Sequence, residues 1–156
     1  MAYLNGFNYV QGPYKEFLST VSSTATFLAG NPVQYGLGRA LTIADSQATM
    51  IVGIAQHDAA NSIYPGKCLV LAIFPETVFA SKIATNIAGS ALSAGQSMDL
   101  ALSGNYSRPA NSRVTPAVVI VPRQDGTTID STDSSIWCQF LTNKLGPYAS
   151  SASTLF

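Results

Sequence analysis

Residues 27–55 read FLAGNPVQYGLGRALTIADSQATMIVGIA, and residues 92–121 read LSAGQSMDLALSGNYSRPANSRVTPAVVIV. Each stretch contains an Ala-Gly pair, an alternating strand, a glycine-centred turn, a polar return strand, a loop and a short apolar strand. Alternation of apolar and polar residues indicates a half-buried strand, and a short apolar run between turns indicates a strand buried on both faces. The two stretches therefore predict an all-β fold, a small barrel or sandwich built from two related units.

Two local features sharpen this prediction. The run 50–55 should be a strand buried on both faces, and Gly53 within it indicates a bulge or a close backbone approach. In the second stretch, Gly104-Asn105 fits a two-residue hairpin turn with glycine first. Further strands are predicted at 68–74, 117–121 and 136–141, and residues 76–83 are predicted to be a strand or a helical turn.

The composition limits the kinds of function to consider. The chain has 156 residues, 47% of them hydrophobic, which is enough for one domain with a sizeable core. Only 10% are charged and the net charge is zero, whereas ordinary soluble domains carry about 25% charged residues. A surface with few charges is easily desolvated and poorly protected against association. The composition therefore favours a protein that works against a partner.

The basic residues argue against nucleic acid as that partner. Binding to phosphates requires a concentrated basic face, and the eight basic residues are scattered through the chain: Lys15, Arg39, Lys67, Lys82, Arg108, Arg113, Arg123 and Lys144. No apolar run is long enough to span a bilayer, and no secretory signal opens the sequence. We therefore expect no nucleic-acid or membrane partner, and synthesis in the cytoplasm.

Residues 1–26 differ from the remainder because they are rich in aromatic residues without a regular period. We interpret them as an extended arm on the single β domain of residues 27–146, which contains the two related units at about 27–55 and 92–121. An alternative is that this segment closes one end of its own barrel. Residues 147–156 are predicted to be a polar, flexible C-terminal tail. Aromatic anchors that dock on a partner are predicted in both terminal segments: Tyr3, Phe7, Tyr9, Tyr14, Tyr148 and Phe156.

The sequence offers little for catalysis or metal binding. The single histidine, His57, is followed by Asp58 but has no recognisable nucleophile motif near it. Cys68 and Cys138 lie in apolar strand patterns, which favours buried free thiols, although one bridge between them remains possible. Three aspartates within a polar loop could offer oxygen ligands to calcium, but their spacing matches no EF-hand: Asp125, Asp130 and Asp133. We expect no enzyme activity, no cofactor and no metal.

The order AGNPVQYG followed by IVGIAQHDAANSIYPGKCLVLAIF resembles small capsid-decoration proteins of tailed bacteriophages. The matching positions are Ala29-Gly30, Pro32-Val33, Val52–Ala55, Asp58–Ala60 and Gly66–Val70. The likeness covers about residues 27–121, and AGQSMDLALSGNYS in the second half is similar to a repetition of its opening. The longer aromatic N-terminal segment and the strand with Trp137 have no counterpart in the resemblance.

The resemblance implies a structural virion protein that binds the outer surface of an assembled capsid and stabilises it. Its partners would be the major capsid protein and other copies of itself, as a homotrimer. Two alternatives stay open. A shell-forming viral coat protein fits the size, although it usually needs a basic patch. A receptor- or carbohydrate-binding module would stack sugars on aromatic residues, the candidates being Tyr35, Tyr64, Tyr106 and Trp137.

Overall fold

A computed structural model describes residues 6–46, 48, 50–83, 94–110, 115–122 and 135–145. These residues form eleven β-strands: β1 (Asn8–Gln11), β2 (Glu16–Thr20), β3 (Pro32–Tyr35), β4 (Leu41–Ile43), β5 (Ile51–Ala55), β6 (Lys67–Ala72), β7 (Val78–Lys82), β8 (Ser97–Ser103), β9 (Tyr106–Ala110), β10 (Val118–Ile120) and β11 (Ser135–Phe140). Two 3-10 turns, Leu37–Arg39 and Thr142–Lys144, are the helical segments in this part of the chain. The predicted all-β class is confirmed.

The strands form two antiparallel sheets packed face to face. Sheet A has six strands in the order β1-β7-β11-β10-β8-β9, and sheet B has five in the order β2-β6-β5-β3-β4. Sheet B is curled, so that its two edge strands approach each other. Val21, just after β2 at one edge, forms a parallel bridge with Leu41 of β4 at the other edge. Neither sheet closes completely within the described residues, so the architecture is a sandwich and not a barrel.

The main core lies between the two sheets. Sheet A contributes Met98, Val118 and Phe140 among others, and sheet B contributes Ile54 and Leu71. A smaller core lies on the other face of sheet B, where segments 21–30 and 56–59 cover it. Each fully buried side chain of this size stabilises the fold by about 1.5–3 kcal/mol. Because β5 contributes to both cores, all five of its residues are buried, as its apolar run predicted.

The two stretches that decided the fold class have the same strand pairing. Gly30 donates to the carbonyl of Ala55 at 2.8 Å, and Gly95, 65 positions later, donates to Ile120 at the same distance. Both glycines have φ near +90°, a conformation that favours glycine. The registers also correspond, because Val33 pairs with Gly53 as Met98 pairs with Val118.

This correspondence extends beyond the stretches that sequence comparison related. The strands β2–β6 make one five-stranded unit, residues 16–72, and β7–β11 make a second, residues 78–140. In each unit the first strand pairs with the fifth, the fifth with the fourth, the fourth with the second and the second with the third. The strand β1 lies outside both units and adds to the edge of sheet A beside β7.

The N-terminal segment differs from the predicted arm. Residues 8–11 are β1 of sheet A and residues 16–20 are β2 of sheet B. The Gly12-Pro13 link carries the chain from one sheet to the other. That crossing explains the absence of a regular period, because the chain changes sheet after only four strand residues. The described part of residues 1–26 is therefore part of the sandwich, close to the alternative in which it closes one end of the fold.

Candidate partner-binding surface

Tyr9 and Tyr14 form an exposed aromatic pair at the end of the sandwich where the chain crosses between the sheets. Tyr9 is on β1 and is 39% exposed, and Tyr14 precedes β2 and is 51% exposed. Their rings meet edge to face with centroids 5.1 Å apart, a geometry that aromatic pairs prefer. The structure thus brings together two of the six predicted anchors.

Hydrogen bonds hold this tyrosine pair in place. The Tyr9 hydroxyl donates to the carbonyl of Gly12 at 2.6 Å, and the Tyr14 hydroxyl donates to the carboxylate of Glu16. Below the link, the Thr77 hydroxyl donates to the carbonyl of Pro13 at 2.9 Å. A Cβ on Gly12 would lie 2.7 Å from the carbonyl oxygen of Glu76, so only glycine allows this close approach. The two rings are therefore presented from a fixed backbone.

Phe7 must be removed from the predicted anchors. Its side chain is only 1% exposed and lies in the main core. The ring packs against Phe140 at 5.2 Å and against Phe79 at 6.3 Å between centroids. A side chain already buried in its own domain is not available to a partner. The remaining candidates, Tyr3, Tyr148 and Phe156, lie outside the described residues.

Exposed aliphatic residues add to the accessible apolar surface, and sequence reasoning missed them. Leu18 is 45% exposed, Ile63 is 63% exposed and Leu102 is 56% exposed. Leu102 continues the alternation of Met98 and Leu100, which are both fully buried, so its exposure could not be read from the pattern. Only the position of the sheet edges determines which member of such a series extends past the core.

The loop between β5 and β6 has structural interactions around His57. Its ring lies against Tyr64 with centroids 5.5 Å apart. The Asp58 carboxylate accepts a hydrogen bond from the backbone N–H of Ala29 at 2.8 Å. The Asn61 side chain donates to the carbonyls of Asp58 and Lys67 and accepts from the N–H of Tyr64. The Asp58 carboxylate and the Asn61 amide thus stabilise the loop against the sheet.

The two cysteines are buried and free, so the preferred prediction of free thiols is confirmed and the bridge is absent. Burial raises the pKa of the Cys138 thiol to about 12. Burial also raises the pKa of Cys68, whose Sγ donates to the carbonyl of His57 at 3.5 Å. Since the thiolate is the reactive form, neither group is suited to nucleophilic chemistry near neutral pH.

The described part of the chain offers no cluster of side chains for a metal ion. No group of three or more His, Cys, Asp or Glu side chains there could hold a metal ion. The aspartates considered for calcium lie outside the described residues: Asp125, Asp130 and Asp133.

The aromatic residues considered for sugar stacking occupy separate elements. Tyr35 on β3 accepts a hydrogen bond from Ser19 at 3.3 Å and packs against the smaller core. Tyr64 lies in the β5–β6 loop beside His57. The guanidinium of Arg108 covers the ring of Tyr106 at 5.6 Å, and Trp137 is half-buried on β11. These four aromatic residues therefore do not form one stacking surface for a sugar, and the structure adds no support to the binding-module prediction.

No protein-family model matches this sequence, and no curated protein matches it either. Among the described residues, no helix has the length and apolar character to cross a membrane. The assignment of a function therefore depends on the residues and contacts described above.

Proposed function

We propose that this chain is a structural, non-enzymatic virion protein that binds the outer surface of a bacteriophage capsid and stabilises it. The Tyr9–Tyr14 pair carries the proposal. Two exposed rings fixed by hydrogen bonds lose little conformational entropy when they dock, and tyrosine is enriched at the centres of protein interfaces. The major capsid protein is the partner in this proposal, and the working location is the exterior of the virion.

The low charge of the chain supports the same role. Interface cores are depleted in Lys, Glu and Asp, and only 10% of this chain is charged. A shell offers many identical sites, so that moderate contacts are sufficient if neighbouring copies also bind one another. The homotrimer implied by the resemblance would supply such additional contacts.

The sandwich also suits a mechanical role. The described residues are almost entirely strands and tight links, and the crossing at Gly12-Pro13 is fastened to the β6–β7 link through Thr77. A surface mounted on such a frame transmits load between the partners it touches, because a close-packed interior has low compressibility. Stabilisation of a shell requires this rigidity in addition to binding.

Co-sedimentation with empty shells that lack the protein tests the proposal. Wild-type chain should pellet with the shells to saturation, and a Tyr9→Ser/Tyr14→Ser variant should bind at least about tenfold more weakly, which corresponds to about 1.4 kcal/mol. Asn143→Ser, in the exposed 3-10 turn after β11, is the control and should bind as wild type does. Wild-type protein that stays in the supernatant at every concentration would refute the proposed function.

A further inference from the structure

We infer that the tip of the β8–β9 hairpin, residues 102–107, is a small flap that Asn31 holds closed against the first unit. Three features point to it: two hydrogen bonds made by one side chain, a buried hydroxyl group without a partner, and the change in burial along the hairpin. The flap is a property of the chain by itself and does not rest on the proposed function.

The Asn31 side chain is fully buried and binds the backbone of the hairpin at two points. Its Nδ2 donates to the carbonyl of Asn105 at 2.9 Å, and its Oδ1 accepts from the N–H of Ser107 at 2.8 Å. Asn31 is itself fixed on the first unit, because its carbonyl accepts from the N–H of Ala55 at 2.9 Å. A side-chain amide can donate and accept at the same time, which a carboxylate cannot do. Asn31 therefore acts as a latch between the two units.

This latch takes the place of a neighbouring strand. The strand β9 is the last in sheet A, with β8 as its neighbour in the sheet. Ser103 pairs with Tyr106 across the two-residue turn, so the N–H of the next residue, Ser107, points away from β8. Within the described part of the chain, the two bonds from Asn31 are the hydrogen bonds that join residues 102–107 to the first unit.

The closed position leaves one polar group unsatisfied. The Ser107 side chain is fully buried, and its Oγ has no hydrogen-bond partner among the described residues. A buried hydroxyl without a partner disfavours the closed position, because the same group can bind water when the tip opens. The latch and the hydroxyl therefore act in opposite directions on one equilibrium.

The burial along β8 shows where the opening should stop. Met98 and Leu100 are fully buried in the main core, whereas Leu102, on the same face, is 56% exposed. Leu102 is opposite Ser107, and Leu100 is opposite Pro109, which is buried. The core thus anchors the base of the hairpin but not its tip. We expect a local opening of residues 102–107 while the remainder of the sandwich stays folded.

Hydrogen exchange of single backbone amides at low urea concentrations, measured by NMR, tests this inference. In the wild-type chain, exchange at Ser107 should depend little on urea, because a local opening exposes little surface. Exchange at Ile54, in the central strand β5, should depend steeply on urea, because it requires global unfolding. Asn31→Ala should accelerate exchange at Ser107 at least about tenfold, since two hydrogen bonds are lost.

Ser107→Ala should have the opposite effect. It removes the unpartnered hydroxyl and keeps the backbone N–H, so exchange at position 107 should be slower than in wild type after correction for the intrinsic rate. This variant and the urea dependence of the wild-type chain test the flap even if Asn31→Ala does not fold.

Asn61→Ala is the matched control, because the Asn61 side chain also holds backbone groups but does so within the β5–β6 loop. It should leave exchange at Ser107 at the wild-type rate. An equally steep urea dependence at Ser107 and Ile54 in the wild-type chain would overturn the inference, because the tip would then open only with the whole fold. Faster exchange in Ser107→Ala would also overturn it.

Discussion

Gly53 lies in the middle of β5, the strand that contributes residues to both cores. A Cβ at this position would lie 2.2 Å from Cγ1 of Val70 and 2.4 Å from the carbonyl oxygen of Leu71. The ladder between β3 and β5 also shifts register here, between Val33 and Gln34. Both features expected from a glycine inside an apolar strand are therefore confirmed. The sequence could indicate this because a glycine in such a run is itself a local signal.

Gly53→Ala is expected to destabilise the protein by about 3 kcal/mol, at the upper end of the usual cost of overpacking. Val70 and the backbone of Leu71 lie in a central strand and cannot move away easily. Urea unfolding measures the change. Gly36→Ala is the control, because its Cβ would meet nothing closer than Thr42 at 3.6 Å. Equal losses for the two variants would contradict this view of β5.

The Cys138 thiol is expected to make the free energy of unfolding depend on alkaline pH. Burial raises its pKa from 9.0 to about 12, so the unfolded chain releases the thiol proton first. The contribution to stability is fully present below pH 9 and is lost as the pH rises from 9 toward 12. Between about pH 9 and pH 10 the loss should approach 1 kcal/mol. Cys138→Ala should lack this component, and an identical pH dependence in both proteins would contradict the assignment.

The segment of residues 7–14, which contains β1, has one aromatic residue that stabilises the fold and two that belong to the candidate partner-binding surface. Phe7→Ala should destabilise the protein by about 3–5 kcal/mol, because it removes one ring from a buried trio with Phe79 and Phe140. Tyr9→Ala and Tyr14→Ala should each cost less than about 1 kcal/mol, because both rings are exposed. Chemical denaturation measures all three. Unchanged stability in Phe7→Ala would return this segment to the role of a detached arm.

Elements with local signals could be predicted, and elements that depend on long-range packing could not. The hairpin of β8 and β9 turns at Gly104-Asn105 as its sequence indicated, with Ser103 paired to Tyr106. The strand β5 was identified because it is apolar throughout. The position of the N-terminal segment could not be predicted from the sequence. Phe7 and Tyr9 are two residues apart, and yet one is buried and the other is exposed. Only the position of the sheet edge separates them.

The candidate surface shows the same limit. Enrichment in aromatic residues pointed to the segment that contains Tyr9 and Tyr14, but it also selected Phe7. Similarly, Trp137 was recognised as a feature without a counterpart in the resemblance, but its relation to the repeated unit required the strand order.

At the scale of the whole molecule, the described residues consist of two five-stranded units and one added strand, and the chain has few charges and accessible aromatic residues. Each feature favours lasting contact with neighbours. The two units share one strand order, and they pack on each other through the main core. This organisation supports the proposed structural role in binding and stiffening a shell.

Heating of capsid shells with and without bound protein tests the central claim most directly. Scanning calorimetry should show that shells saturated with the wild-type chain disrupt at a higher temperature than bare shells. Shells mixed with the Tyr9→Ser/Tyr14→Ser variant at the same concentration should disrupt at a lower temperature than shells with wild-type protein, because fewer sites are occupied. Saturated binding of wild-type protein with no rise in the disruption temperature would contradict a stabilising role.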